Sequence, residues 1–282
     1  MVQLGGDRAG AASGPVAKTS KISTKTVKLS GLDNRTRFEV FCPRGKFPYG
    51  GGFTTSPPPA DGEGIYPNSY ERLGVQHGYH ITANLVDLLG NQATDRNMTL
   101  QVVCGPKPPK LTPPHQTVQV EPGQQKEIIE KCPGNRHLIG GGHQRTTRVS
   151  RNGNFVTESR MTDVDTWKVA GTAIGNFGGE MTGIAYCVRS KRPLLSEVSA
   201  STMIGRSEHG QATTPSCPKG RTLVFGGFST PADGSVLYLG GSINGNNTWT
   251  ANAFNQTGAT GQLTAYGYCL KFKSLLKNKK KK

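Results

Sequence analysis

Three phrases decide the fold: CPRGKFPYGGGF at residues 42–53, CPGNRHLIGGGH at 132–143 and CPKGRTLVFGGF at 217–228. Each opens on a cysteine followed by proline (Pro43, Pro133, Pro218) and has Gly45, Asn135 or Gly220 three places after the cysteine. A glycine pair follows at the ninth and tenth places, and the phrase ends in Phe53, His143 or Phe228. The opening cysteines stand 90 and 85 residues apart. Self-similarity at such a period marks one supersecondary unit used several times, so the chain reads as three diverged copies of a unit. Proline followed by Gly or Asn predicts a tight turn in which that Gly or Asn can take positive φ. Paired glycines inside a strand mark a bulge, a bend or a close backbone approach. The expectation is a bend where three sheets meet, and the alternative is a backbone surface for ligand contact.

Further along each unit an aromatic opens an alternating run, as GYHITANL around Tyr79, TWKVAGTA around Trp167 and TWTANAF around Trp249. Each unit closes with a threonine five places before a cysteine, as TLQVVC, TGIAYC and TAYGYC, with Thr99, Thr182 and Thr264. Alternation with β-branched and aromatic residues predicts strands. A unit therefore reads as strand, turn, glycine-rich strand, variable loop, strand, turn and closing strand. Tyr79, Trp167 and Trp249 hold one repeated slot, which is expected to fill the core or lid it; three exposed sugar-stacking platforms are the alternative.

Six cysteines allow fifteen pairings. The repeat reduces them to the simplest scheme, closure within units: Cys42 with Cys104, Cys132 with Cys187, and Cys217 with Cys269. Each closed loop stabilises by roughly 4 kcal/mol in the chain-entropy model. Disulfides of this kind belong to an oxidising compartment. Zinc is disfavoured, because no C-x2-C pair occurs.

The phrase C-P-x-G, four residues, then G-G-F, with Tyr-Cys closing the unit, resembles the vitelline membrane outer layer protein I family, and is similar to repeats of secreted actinobacterial proteins that carry CPxG, GGG, a central Trp and a closing Cys. The resemblance covers roughly residues 38–270. It implies a pseudo-threefold β-prism, an extracellular setting and glycan binding. The acidic stretch that follows the glycines in the vitelline proteins is absent here. The fold class expected is all-β: three pseudo-equivalent antiparallel β units, β-prism-like, each closed by a disulfide.

Composition agrees. A hydrophobic content of 34% suits sheets with one wet face. The net charge is +16, concentrated in a basic N-terminal segment and in a C-terminal run of lysines, so the body between is mildly basic overall. No run of 18 apolar residues exists to span a membrane as a helix. The first residues, MVQLGGDRAGAASGPVAKTSK, lack the apolar region of a signal peptide. With the cysteines pointing to export, the expectation is that a signal was removed and that Met1 is not the native start. The organisation expected is a basic flexible arm at 1–30, repeat 1 at 31–105, a Pro-rich linker at 106–116, repeat 2 at 117–189, a linker at 190–197, repeat 3 at 198–271 and a Lys-rich tail at 272–282.

Scaffold features repeat, so function is sought where the units differ. The longest stretch without strand pattern, 54–78, is read as a recognition loop presenting Tyr66, Tyr70, Arg72 and His77. Asp163 and Asp165, two apart just before Trp167, resemble the carboxylate pairs of sugar or calcium sites. His137 and His143, six apart, would share a strand face, whereas His77 and His80, three apart, would not. Ser207, Glu208 and His209 supply nucleophile, acid and base types, but sequence neighbours do not make a triad. The tail lysines Lys277, Lys279, Lys280, Lys281 and Lys282 are expected either to be solvated or to attract polyanions in a salt-dependent way.

The function expected is that of a non-enzymatic, extracellular or surface-displayed binding or structural protein, with a glycan or an anionic cell-surface polymer as partner, or with neighbouring subunits in a layer. Alternatives are a structural protein of a phage or virus particle and a loop-based hydrolase. No cofactor is expected, and nucleic acid is a poor partner because no binding motif is present.

Overall fold

The computed structural model describes residues 20–29, 36–56, 63–73, 78–87, 95–108, 110–146 and 153–273. Its elements are nineteen β-strands in antiparallel sheets. The first segment holds β1 (Lys21–Leu29), β2 (Thr36–Phe41), β3 (Phe47–Ser56), β4 (Glu63–Leu73), β5 (Gly78–Asp87) and β6 (Arg96–Gly105). The second holds the two-residue β7 (Leu111–Thr112), then β8 (His115–Val120), β9 (Gln125–Lys131), β10 (Arg136–Arg145), β11 (Gly153–Asp163), β12 (Thr166–Ile174) and β13 (Gly179–Arg189). The third holds β14 (Leu195–Ile204), β15 (His209–Thr213), β16 (Thr222–Ser229), β17 (Val236–Asn244), β18 (Thr248–Asn255) and β19 (Gly261–Leu270).

One pairing scheme recurs. The closing strand lies between the first strand and the glycine-rich strand, as β1-β6-β3, β8-β13-β10 and β14-β19-β16. The strand opened by the repeated aromatic lies between its two neighbours, as β2-β5-β4, β9-β12-β11 and β15-β18-β17. Consecutive segments are then stitched together, for β10 pairs with β4 at His143↔Tyr70, and β16 pairs with β11 at Phe228↔Ser159. All three disulfides close within segments, Cys42–Cys104, Cys132–Cys187 and Cys217–Cys269. Such a set suits an oxidising environment.

The glycine pair has two separate jobs. A Cβ on the first glycine would strike the aromatic of its own segment: at Gly141 it would lie 2.1 Å from the Trp167 ring, at Gly226 2.0 Å from Trp249, and at Gly51 2.8 Å from Tyr79. On the second it would strike backbone of a neighbouring segment, 2.1 Å from the Tyr70 carbonyl at Gly142 and 2.5 Å from that of Ser159 at Gly227. The first glycine lets an aromatic lie flat under the strand, and the second lets two strands meet. Ladder register slips just ahead of the pair in every segment, between Pro48 and Gly50, Leu138 and Gly140, and Leu223 and Phe225. These are the expected bulges.

Trp167, Trp249 and Tyr79 are buried in the core. Where the stitched strands meet, an aromatic ring sequence runs Phe53, Tyr70, His143 and Phe228, with Tyr238 stacked 3.5 Å from Phe228. Tyr66, Phe155, Leu237, Leu239 and Phe254 form a second, smaller apolar cluster. The repeated closing threonine makes a cross-strand hydroxyl pair each time: Thr99 with Thr26 at 2.9 Å, and Thr182 with Thr117 and Thr264 with Ser201 at 2.8 Å. Such pairs contribute about 0.2–1 kcal/mol each.

Several expectations are corrected. Residues 21–29, read as part of a free basic arm, form β1, because their Ile22-to-Leu29 pattern has a full-length partner in β6. The Pro-rich linker 106–116 contains β7 and the first residues of β8, both paired to β13, and the linker 190–197 ends inside β14. One residue of each turn takes positive φ, Gly45, Gly134 and Gly220, and in the second turn it is the glycine before Asn135, which carries it without a Cβ cost.

Candidate functional site

The described residues of the stretch 54–78 are strand, ending β3 at 54–56, forming β4 and opening β5 at Gly78. Its residues 63–73 are β4, whose Ile65, Tyr66, Ser69 and Tyr70 are buried. Tyr66 packs edge-on against Phe155 at 5.8 Å, and Tyr70 lies 5.6 Å from His143, so both are core groups. The Arg72 guanidinium sits 3.8 Å over Phe47 and 4.9 Å from Tyr186, and burial pulls its pKa down to about 10. The apparent absence of a strand pattern came from Pro67 and the bulge between Pro67 and Ser69, which break the alternation. His77 and the tail lysines Lys277 and Lys279 to Lys282 lie outside the described residues.

Asp163 and Asp165 shape the hairpin between β11 and β12. Asp163 Oδ1 accepts the Val164 N–H at 2.6 Å, and Asp165 Oδ1 accepts the Thr166 hydroxyl at 2.8 Å. The hairpin tip in turn holds the Cys-Pro turn, with Cys132 N–H donating to the Asp165 carbonyl at 2.7 Å and Leu138 N–H to that of Val164 at 3.1 Å. Asn247 occupies the same place in the third segment, where its carbonyl accepts Cys217 N–H at 3.2 Å and its side chain accepts Leu223 N–H at 2.6 Å. His137 and His143 are not on one face, because the bulge between them reverses the alternation; His143 points into the core. Ser207, at φ 55, and Glu208 form the turn from β14 to β15.

The outward faces of the sheets show where the segments truly differ. The residue after each repeated aromatic faces outward, flanked by one residue on either neighbouring strand. In the first segment this row is Glu39, His80 and Glu71; in the second, Ile129, Lys168 and Arg160; in the third, Thr213, Thr250 and Ser242. In the first row a histidine contacts a carboxylate, and the two cations of the second row pair with acids of the row beside it. His80 meets Glu71 at 2.7 Å, Lys168 meets Glu127 at 3.0 Å and Glu158 at 3.2 Å, and Arg160 meets Glu158 at 2.5 Å. The third row is neutral and continues into Gln211 and Asn252, paired in the next row.

In front of this neutral face lies a groove of about 680 Å³, walled on one side by Thr54 and Thr55 of β3 and reaching His209 at its end. Phe53, Ile65 and Leu239 give it an apolar floor, and among the described residues no Lys, Arg, Asp or Glu lines it. Thr250 Oγ1 is held 2.8 Å from Thr213 Oγ1 and accepts from Asn244 Nδ2 at 2.7 Å, so the hydroxyls are fixed in place. β3 and β17 belong to separate ladders, unlike β10 with β4 and β16 with β11, and the groove takes residues from both.

The chain matches no family model and no curated protein. The groove residues were missed in the sequence because the repeat was read for what is shared. Aligning the residue after each aromatic, His80, Lys168 and Thr250, would have pointed to them.

Proposed function

We propose that the protein is a non-enzymatic, extracellular or surface-displayed binding protein, built as a three-walled β-prism, that takes an uncharged glycan in the groove over β15, β18 and β17. The observation that carries this reading is the hydroxyl row of Thr213, Thr250 and Ser242, which stands where the other two segments place Glu39, His80 and Glu71, and Lys168 and Arg160. Sugars are recognised by fixed donors and acceptors above an apolar floor, and a groove of this size accommodates a few sugar rings. Support for the prism comes from the threefold pairing scheme and from the approach of β3 to β17, where a Cβ on Gly52 would lie 2.2 Å from the Gly241 carbonyl. That contact mirrors the ones Gly142 and Gly227 make with their neighbours.

A glycan-array screen at low and high salt tests it. The expected result is binding to neutral saccharides that persists at high salt and is lost in Asn252→Ala and Gln211→Ala. Absence of saccharide binding, with higher oligomers on a sizing column, would move the reading to layer assembly.

A further inference from the structure

The body of the chain is mildly basic overall, yet its charge is segregated along the strand direction. Antiparallel pairing places all glycine-rich strands with their starts at one end, where the closing strands finish: Phe47↔Gly105, Arg136↔Arg189 and Thr222↔Leu270. The cross-segment pairs are antiparallel too, which aligns that end in neighbouring segments. The three Cys-Pro turns deliver Arg44 and Lys46, Arg136, and Lys219 and Arg221 there. The connections leaving the closing strands deliver Lys107 and Lys110, Lys191 and Arg192, and Lys271 and Lys273 to the same end. Most of these side chains are exposed. Among the described residues the acids nearby are Asp163 and Asp165 on one hairpin, with Lys131 3.8 Å from Asp165, the buried Glu130 at the end of β9, Glu197 near the start of β14, and Glu39 and Glu71, the latter 2.7 Å from His80. The opposite end carries exposed Asp95, Glu121, Glu180, Glu208 and Asp233, against Lys28, Lys126 and Arg206.

We infer that this basic end of the folded body is a docking surface for a flexible acidic polysaccharide, one bearing sulfate or carboxylate groups. Like charges gathered at one end reinforce one another's attraction for a polyanion. The chain form of the partner follows from the charge pattern. The basic residues come in separate groups with the Asp163–Asp165 hairpin between them. A planar anionic lamina would press on those carboxylates, whereas a flexible polymer passes from group to group around them. Docking at the end leaves the groove on the side wall open, so the two sites are independent.

Heparin serves as the probe, with the full-length chain and three variants. The first is Arg44→Gln, Lys191→Gln, Arg192→Gln and Lys219→Gln together; the second converts the five tail lysines to Gln; the third is Lys28→Gln, Lys126→Gln and Arg206→Gln at the opposite end. The first and third replace exposed groups, and unchanged melting curves verify folding of all three. The first variant is expected to lose tenfold or more in affinity near physiological salt and to flatten the plot of log affinity against log salt by about three, as expected from the counterions it no longer releases. The third is expected to bind like the parent. Heparin binding that survives in the first variant but disappears in the second would overturn the proposal in favour of the tail. Tighter binding to duplex DNA or to phosphatidylglycerol vesicles at equal salt would overturn the partner class. Glycan-array results leave it untouched, since groove variants keep their heparin affinity.

Discussion

The Gln101 side chain grips the backbone of Ile243 in both directions: Oε1 accepts the Ile243 N–H at 2.8 Å, and Nε2 donates to the Ile243 carbonyl at 3.0 Å. It joins β6 to β17 where no ladder does so. At the corresponding places of the other two junctions a tyrosine next to the closing cysteine does the work, with Tyr186 hydroxyl accepting Arg72 N–H at 2.9 Å and Tyr268 accepting Met161 N–H at 2.8 Å. The first segment has Val103 there, and the amide two residues earlier on the same strand face replaces the phenol.

Gln101→Ala is expected to destabilise by about 1–3 kcal/mol, because it strands the Ile243 N–H and carbonyl at a part-buried site. Tyr268→Phe, which strands one amide, is expected to cost about 1 kcal/mol. Urea unfolding midpoints check both. A loss from Gln101→Ala no larger than that from an exposed alanine substitution would show that β3 and β17 need no clamp.

The two kinds of glycine in the repeat separate in a second comparison. Gly226→Ala puts a Cβ into the Trp249 ring, which is fully buried and has nowhere to move, so about 3 kcal/mol or more is lost, or folding fails. Gly45→Ala meets open space and suffers only its positive φ, a cost of about 1 kcal/mol. Thermal melts of the two variants order them. Equal losses would mean that backbone conformation, not the aromatic beneath the strand, selects glycine in the phrase.

What the chain announces in advance follows from what its packing repeats. Cysteine pairing, turn, bulged glycines and buried aromatics recur because each meets the same contact three times, and three copies of a weak motif make a readable one. Tyr66 and Tyr70 were misplaced because a proline and a bulge hide the alternation of β4, even though these residues sit in the core at positions matched by Phe155 and Ser159. The neutral groove was invisible for another reason. Thr213, Thr250 and Ser242 are ordinary strand residues, and their meaning lies in the absence of the ionisable groups that Glu39, His80, Glu71, Lys168 and Arg160 supply at matching places. Charge segregation was hidden likewise, since Arg44, Lys191 and Lys271 are far apart in sequence and gather only through the antiparallel topology.

The third disulfide offers a test of how much closure matters. Cys217→Ala with Cys269→Ala opens a loop with a sequence separation of 52 and is expected to cost about 4 kcal/mol by the entropy it returns to the unfolded chain. Removing both cysteines avoids a stray thiol. Denaturant curves under oxidising conditions measure the loss, and a change below about 1 kcal/mol would show that the packed Trp249 core restrains the unfolded chain's counterpart by other means.

His143 stands where the other segments have Phe53 and Phe228, fully buried, with no hydrogen-bond partner among the described residues for either ring nitrogen. Burial, and then the nearby Arg145 charge, hold its pKa down at about 3, against an unfolded value near 6.5. The native state therefore keeps the ring neutral where the unfolded chain takes up a proton. Its stability is complete above about pH 6.5 and falls as the pH drops toward 3. Between pH 7 and pH 5 this one group should remove about 2 kcal/mol. His143→Phe restores the aromatic found in the other two copies, so it is expected to match or exceed the parent at pH 7 and to flatten the loss between pH 7 and pH 5. Urea midpoints at the two pH values measure both effects. The same acid loss in His143→Phe would place the sensitivity on another group and leave His143 as a packing residue alone.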